Sequence, residues 1–296
     1  MDTTAKKAVS PVIWKRNSQF KLKCLRFSKN KLAVAGLIVL VFLMIAVLVA
    51  PLYVSYDQVV AQKITDRFQP PNSKHLFGTD QFGRDLFARI VYGGRISLFA
   101  GIITIGIAFS IGIVLGSVAG YFGGMVDTVI MRFCDILMAV PGLLLSMAIV
   151  AALGQGLFKM LIALSVSVIP GQARTVRAAV MTLRGQEYVE AAKTYGSTTP
   201  RILIKHIIPN VIGPLIVSIT MSLGSTILRI ANLGFLGIGI ASPTPEWGTI
   251  ISENQTNIRF YPYLGIIPGL FIMISVMSLN FIGDGLRDAL DPKMKN

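Results

Sequence analysis

The chain has 296 residues, of which 53% are hydrophobic and only 14% are charged, and its formal net charge is +14. A soluble domain carries about a quarter charged residues, so this composition predicts a membrane protein with several spans. The excess of Lys and Arg is typical of the cytoplasmic flanks of such proteins, and no motif that reads nucleic acid accompanies it. Two cysteines and two isolated histidines provide neither a disulfide framework nor a metal site.

The amino-terminal tail, residues 1–31, carries nine Lys or Arg residues against one acidic residue. Basic residues concentrate on the cytoplasmic side of membrane proteins, so we expect this tail in the cytoplasm. The uncharged apolar stretch 33–50 follows without a cleavage signal. It predicts a first, uncleaved transmembrane helix at residues 32–54.

Residues 55–95 come next and should form an extracytoplasmic segment. Asp85 and Arg89 stand four residues apart between apolar neighbours. This spacing predicts an amphipathic helix that lies at the membrane surface. A rim that contacts an extracytoplasmic protein is the alternative role, and the residues leave both open.

Residues 96–284 are expected to form a core of five further transmembrane helices. Four uncharged stretches are each long enough to cross about 30 Å of hydrocarbon, at 96–119, 136–158, 207–228 and 260–283. A fifth stretch, 160–173, is short, but if it crosses, the basic loop 174–206 lies on the same side as the tail. The sequence therefore predicts an all-α membrane protein of six transmembrane helices, with the amino terminus and the carboxy-terminal tail 285–296 both cytoplasmic.

Two patterns within these stretches concern helix packing. Pro141, Pro170 and Pro268 interrupt apolar runs, and each should kink its helix or remove a backbone hydrogen bond. A stripe of small residues recurs at every fourth position and favours close helix packing over a role in substrate binding. Its members are Ala108, Gly112, Gly116 and Gly120.

The loop 185–210 carries folding signals of its own. Its first half consists mostly of good helix formers, and Glu190 and Lys193 are spaced to pair along one helix face. Gly196 follows at a position where helices commonly end in a left-handed residue. We therefore expect a short helix that ends at a sharp turn.

The second half of the loop restarts a helix. Thr199 is the expected N-cap, and Pro200 fits the first helical position. Pro209 should kink or end this second helix. Such a helical hairpin could merely connect two spans or could dock into a groove of another protein, and the residues alone leave both possibilities open.

The spacing of Glu190-Ala191-Ala192, Gly196 and Pro209 resembles the EAA signature of permease subunits of bacterial ABC importers. The family pattern has an Ile three residues before the proline and a Leu directly before it, where this chain has His and Ile. The replacement by Ile is mild, and the His is typical of one branch of the family.

Four further segments resemble the C-type permease of the peptide and nickel branch. These are HIIPN at 206–210, FGTDQFGRD at 77–85, PTPEWG at 243–248 and GDGLRDALDP at 283–292. Together the matches cover nearly the whole chain from the first span onward. One departure is Ile230, since relatives often carry an acid there, and any role of that acid is not transferred to this chain.

This resemblance implies a type I ABC importer permease fold in the cell membrane of a bacterium, with cytoplasmic coupling helices. The chain would be a non-catalytic subunit that binds no cofactor itself, with ATP and Mg²⁺ held by its partners. Those partners would be a homologous B-type permease, two ATP-binding-cassette ATPase subunits, an extracytoplasmic solute-binding protein and membrane lipid. Di- and oligopeptides are the expected cargo, with nickel, a metal chelate or another small solute as the alternative.

The resemblance also implies which residues act. The residues expected to couple to the ATPases are Glu187, Glu190, Ala191, Ala192, Gly196, Ser197, Pro200 and Pro209. A receptor-binding or permeation rim would comprise Asp80, Arg84, Asp85 and Trp247. Trp247 could instead anchor at the lipid headgroups. The basic side chains of Arg174, Arg177 and Arg184 are expected to anchor at the membrane edge.

Two rival functions are a channel and a membrane-embedded enzyme. A channel needs a selectivity element, such as a ring of charges, and none is evident. An intramembrane protease needs H-E-x-x-H, paired aspartates or an activated serine, and none is evident either. The chain also lacks a G-x-x-x-x-G-K-[ST] loop, so energy from ATP would have to come from another polypeptide.

Overall fold

The computed structural model describes residues 16–290, and every named element in this range is helical. The helices are α1 Arg16–Lys29, α2 Lys31–Tyr53, α3 Tyr56–Val60, α4 Leu86–Phe122, α5 Gly124–Ala139, α6 Gly142–Leu153, α7 Leu157–Leu183, α8 Glu187–Thr194, α9 Thr199–Ile202, α10 Ile208–Phe235, α11 Trp247–Asn254 and α12 Tyr263–Leu290. A short 3₁₀ helix covers Ile64–Asp66, and a π-helical turn covers Leu203–Ile207.

Five of these elements are long and apolar enough to cross a membrane: α2, α4, α7, α10 together with its preceding turns, and α12. The bent pair α5 and α6 provides a sixth crossing if it counts as one span. The weak stretch 160–173 lies inside the 27-residue helix α7. The predicted all-α multi-pass membrane protein is confirmed, and which side each end faces stays a prediction.

The predicted third span, 136–158, is not one continuous helix. Helix α5 ends at Ala139, α6 begins at Gly142, and the two axes meet at 85°. The cause is Pro141, which lacks an amide N–H and disfavours a helical conformation in the residue before it. Val140 accordingly adopts extended backbone angles. With 12 residues, α6 is about 18 Å long, which is shorter than the hydrocarbon layer.

The other two prolines predicted to kink their helices, Pro170 and Pro268, do not break them. Helix α7 continues through Pro170, and α12 continues through Pro268. Each proline removes only its own backbone N–H from the helical ladder, and the turns on both sides stay helical.

The separate surface helix expected at Asp85 and Arg89 does not exist. Asp85 is the N-cap of the 37-residue helix α4 and accepts a hydrogen bond from the Ala88 amide at 2.8 Å. Arg89 lies in the second turn of that helix and is completely buried. The amphipathic pattern arises because this face of α4 meets other parts of the chain rather than the membrane surface.

The small-residue stripe packs α4 against α7, as predicted. A Cβ added to Gly116 would lie 2.4 Å from the Ala173 carbonyl oxygen, and one on Gly120 would lie 2.8 Å from the Arg177 carbonyl oxygen. Both obstacles are backbone atoms, so a larger residue would have to move a helix. Glycine at these positions therefore sets how closely the two helices approach.

Candidate functional site

The residues predicted to act lie at opposite ends of the bundle. We call residues 187–202, which follow α7 and precede α10, the elbow. We call residues 55–85 and 236–262, which join the other ends of the long helices, the cap. The elbow holds seven of the eight residues expected to couple to an ATPase and Pro209 follows it, whereas the cap holds the four expected rim residues.

Helix α8 ends in the predicted left-handed glycine. Gly196 has a φ of +74°, its amide donates to the Lys193 carbonyl at 2.9 Å, and the Ser197 amide donates to the Ala192 carbonyl at 3.0 Å. This pair of hydrogen bonds is the Schellman motif, which satisfies carbonyls that a helix end leaves free. The sharp turn is therefore encoded locally by one residue without a Cβ.

The restart after the turn differs from the prediction by one residue. Thr198, not Thr199, is the N-cap of α9, and it makes no side-chain capping hydrogen bond. Pro200 lies within the first two helical positions, where a missing N–H costs little.

Pro209 neither ends nor sharply breaks the second helix. The Ile208 amide donates to the Leu203 carbonyl, five residues earlier, so the ladder widens into a π-turn before α10 begins. A proline has no N–H to donate and clashes with the carbonyl four residues before it. The wider turn accommodates both effects, and the helix continues into the membrane span.

The inner face of the elbow is fixed to the bundle. Val189 of α8 is completely buried, and so are Ile202 and Ile207 to within 1%. These side chains form one apolar cluster with Val180 of α7 and Leu215 of α10. A displacement of α8 therefore has to move the ends of α7 and α10 with it.

The outer face of the elbow is open. The side chains of Glu187, Glu190, Ala191 and Pro200 are exposed, and a Cβ added to Gly196 would meet nothing within 4 Å. Two of the predicted coupling residues, Ala192 and Ser197, are half-buried, while Pro209 is exposed. The structure thus brings these residues together on one short helical hairpin.

The charged residues of the elbow form a small network. The Lys193 ammonium group donates to a Glu190 carboxylate oxygen at 2.8 Å, as predicted, and lies 5.6 Å from the centre of the Tyr121 ring. The hydrogen bond to Glu190 raises the pKa of Lys193. Both partners are substantially exposed, so this ion pair contributes little to stability by itself.

Tyr195 is a surface residue that the sequence analysis did not single out. Its side chain is 89% exposed, directly before the turn glycine. An aromatic side chain with this exposure is typical of an interface anchor. Its position immediately before a helix-ending glycine was the only available signal.

The three arginines expected to anchor at the membrane edge make contacts within the chain, and their level in the membrane stays a prediction. Arg177 forms an ion pair with Asp127 through two hydrogen bonds, and Arg174 forms one with Asp135. Arg184 donates to the Gly120 carbonyl at 3.2 Å. Because these acids lie on α5, the arginines fasten α5 and the end of α4 to α7.

The structure contradicts the rim prediction for Asp80 and Arg84, because both side chains are buried within the cap. The Arg84 Nε donates to Asp80 Oδ2 at 2.6 Å. Arg84 and Arg89 also both donate to Glu253 Oε2, at 2.5 and 2.7 Å. Asp80, Arg84 and Arg89 have side chains at most 1% exposed, so none of them can form an open rim. Asp85, another predicted rim residue, caps α4 by accepting from the Ala88 amide, and its Oδ2 atom lies 2.7 Å from His75 Nδ1.

Trp247 lies neither at the headgroups nor beside a permeation path. It is completely buried, and its indole Nε1 donates to the Ile90 carbonyl at 2.9 Å. The preceding Glu246 caps α11 by accepting from the Gly248 and Thr249 amides at 3.0 and 2.9 Å. Burial raises the pKa of Glu246. The motif at 243–248 therefore seals the cap against α4.

The described part of the chain contains no cluster of three or more His, Cys, Asp or Glu side chains able to hold a metal ion. Cys134 is buried and Cys24 is exposed, and both are free thiols. Ile230, where relatives often have an acid, is completely buried among apolar side chains, including Leu164 and Leu233.

Comparisons with known proteins agree with this architecture. Residues 112–296 match the family described as "Binding-protein-dependent transport system inner membrane component". Residues 18–71 match the N-terminal transmembrane domain of oligopeptide transport permease C.

Curated relatives extend over most of the chain. The dipeptide transport system permease protein DppC of Alkalihalophilus pseudofirmus is 45% identical over 92% of this chain and 89% of its own length. The oligopeptide transport system permease protein OppC of Bacillus subtilis is 40% identical over 94% of this chain and 91% of its own length.

Solved structures support the fold. A chain from the inward-facing MetNI methionine ABC transporter aligns with a TM-score of 0.57 at 20% identity, covering 69% of this chain and 96% of that one. This likeness confirms the predicted type I importer permease fold. The chain belongs to the family of inner membrane components of binding-protein-dependent transport systems, and it carries the amino-terminal domain of the oligopeptide permease C type.

Proposed function

We propose that the chain forms, with a homologous B-type permease, the path by which di- and oligopeptides enter the cell. Two ATP-binding-cassette ATPase subunits would supply the energy, and an extracytoplasmic solute-binding protein would deliver the cargo. The names of the relatives, which include dipeptide, oligopeptide and glutathione permeases, support this cargo class. Nickel, a metal chelate or another small solute is the alternative.

The orientation that this function requires agrees with the distribution of charge. The tail 1–31 carries nine basic residues, and the stretch 174–206 carries six. If both lie in the cytoplasm, the elbow faces the ATPases and the cap faces outward. The solute-binding protein would then meet the outer surface of the cap.

The observation that supports this function most directly is the two-sided build of the elbow. Its outer face is open, with Glu190 and Tyr195 exposed, whereas its inner face is fixed by Val189 to the ends of α7 and α10. A short helix of this kind can sit in a cleft of an ATPase subunit. When ATP closes the ATPase pair, the elbow would transmit that motion as a rigid lever and switch the side on which the path is open.

The chain itself would perform no catalysis. It has no P-loop sequence, and its family consists of permease subunits, so ATP and Mg²⁺ would bind in the partner subunits. The role of this chain is to convert movement of the partners into a change of access.

The test is uptake by the complete importer in proteoliposomes, with ATP inside and labelled dialanine outside. Gly196→Val should abolish uptake, because a β-branched residue in left-handed geometry is strained by about 1–2 kcal/mol and would also obstruct docking. Glu190→Lys should abolish uptake by reversing the charge on the docking face. Gly185→Val is the control, since Gly185 is exposed and has no left-handed backbone conformation.

Each result has a defined meaning. All three variants should insert and assemble in wild-type amounts, and only the control should transport. Normal uptake by either elbow variant would contradict the coupling role. Uptake of nickel but not of any dipeptide by the wild type would contradict the peptide assignment.

A further inference from the structure

Arg229 lies just beyond the uncharged stretch 207–228 but inside the membrane-spanning helix α10, near the middle of its second half. Its side chain is partly exposed, and it makes no ion pair or hydrogen bond with any residue between 16 and 290. A guanidinium at the centre of a transmembrane helix costs about 2.5–3.5 kcal/mol on insertion scales. Such residues are rare, and they commonly mark a substrate or ion path.

Contacts between the helices place Arg229 level with the middle of the first membrane-spanning helix, α2. Helix α2 has 23 residues, and Val47, about five residues beyond its centre, would meet a Cβ placed on Gly94 of α4 at 2.8 Å. Helix α4 runs in the opposite direction, and a Cβ on Gly101 would lie 2.9 Å from Ile227 of α10. These contacts relate levels along α2, α4 and α10. By them, Arg229 lies within about one helical turn, roughly 5 Å, of the level of the centre of α2.

The guanidinium lies where the α5–α6 pair is broken. A Cβ added to Gly142, the first residue of α6, would lie 2.5 Å from the Nη1 atom of Arg229. The α5–α6 pair bends by 85° at this level, and no side-chain hydrogen bond caps the start of α6. Val140 and Leu144, on either side of the break, are exposed and apolar. On the same face of α10, the exposed neighbours Ser225 and Asn232 are uncharged, so Arg229 supplies the charge at this point.

We infer that Arg229 binds the terminal carboxylate of the peptide as it passes through the membrane. This assignment rests on the proposed peptide path and adds to it a point of recognition inside the membrane. A planar guanidinium can bind a carboxylate through two parallel hydrogen bonds, and every unmodified peptide carries a carboxylate at its end. The nearby start of α6 adds the weaker positive end of a helix dipole.

The experiment uses the complete importer in proteoliposomes, with the solute-binding protein saturated by labelled dialanine or by its C-terminal amide. The initial uptake rates of the two peptides give an acid-to-amide ratio for each variant. Because the same binding protein is used throughout, its own preference cancels when variants are compared. We expect Arg229→Gln to lower the ratio about tenfold or more, the effect of losing a hydrogen bond to a charged group. Arg229→Lys should keep part of the preference.

Arg95→Gln is the matched control, because Arg95 is a partly exposed arginine on α4 that lies over the Tyr92 ring and not beside the start of α6. Its ratio should equal that of the wild type. An unchanged ratio in Arg229→Gln would overturn the assignment while leaving peptide transport intact. A parallel loss for both peptides, or failure to copurify with the homologous permease, would overturn it in favour of a contact between subunits. A wild type that transports neither peptide would overturn the proposed function and this inference with it.

Discussion

The buried charge cluster of the cap makes the sharpest prediction about stability. Two arginines, Arg84 and Arg89, share one carboxylate oxygen of Glu253, and Asp80 supplies the second negative charge. With two cations and two anions the cluster is neutral. Glu253→Gln would keep the shape of the side chain but remove its negative charge. One positive charge of Arg84 and Arg89 would then be uncompensated, and both of these side chains are at most 1% exposed.

The expected cost follows from that burial. Removing one partner of a buried ion pair costs about 3–5 kcal/mol, because the remaining charge is left without compensation. For a chain of this size such a change lowers the melting temperature by roughly 6–20 °C. The assay is thermal unfolding of the purified permease pair in lipid nanodiscs.

Two further variants separate charge from packing. Glu253→Gln combined with Arg89→Met restores a neutral cluster and should recover most of the lost stability. Lys74→Gln breaks a pair in which Lys74 is 69% exposed, so it should cost less than about 1 kcal/mol. The reasoning fails if Glu253→Gln destabilises no more than Lys74→Gln, or if the double variant is no more stable than Glu253→Gln alone.

Three other predictions concern packing, docking and pH. Gly116→Val should reduce the amount of folded permease in the membrane severalfold, because its Cβ would lie 2.4 Å from the Ala173 carbonyl oxygen. The control Gly106→Val, whose Cβ would meet nothing within 4 Å, should give the wild-type amount. Equal amounts of the two variants would refute the packing argument. Tyr195→Ala should leave the melting temperature of the permease unchanged, since the side chain is 89% exposed, yet weaken ATPase binding by at least about 1 kcal/mol in a titration of ATPase against nanodiscs. Burial raises the pKa of Glu246, so the folded state holds that proton more tightly than the unfolded state does. The stability this carboxyl contributes is full below the ordinary glutamate pKa of about 4.3 and is lost as pH rises through the raised value. The melting temperature of the wild type minus that of Glu246→Gln should therefore fall as pH rises above the ordinary glutamate pKa. A constant difference would contradict it.

The features that the sequence predicted correctly are those encoded by neighbouring residues. Helix formers followed by Gly196, and then Pro200, specify a helix, a left-handed turn and a restart within one loop. The glycine stripe predicts close packing because helix positions without a side chain let any facing helix approach closely. The weak span 160–173 was assigned by the balance of charges around it, and its helix is confirmed.

The errors concern residues whose role depends on distant parts of the chain. Arg84 and Glu253 are 169 positions apart, so nothing near Arg84 signals that its charge is neutralised in the interior. The same applies to Trp247, whose partner, the Ile90 carbonyl, is 157 positions away. Both looked like surface residues because an arginine and a loop tryptophan usually are.

The break at Pro141 shows a different limit. A proline within an apolar run signals a kink, but its angle depends on what the neighbouring helices leave open. Here the ion pairs of Arg174 and Arg177 fix α5 to α7. Helix α6 contacts α7 through a separate hydrogen bond between Ser146 and Ser167. The 85° bend is therefore set by tertiary contacts as much as by the proline.

The central claim is that the elbow transmits the work of separate ATPase subunits to the bundle. A photoreactive amino acid in place of Tyr195, in membranes that carry the assembled importer, tests it most directly. We expect a crosslink to an ATPase subunit, formed on the cytoplasmic side and lost in the Gly196→Val variant. A crosslink to the solute-binding protein, or to lipid alone, would contradict the account.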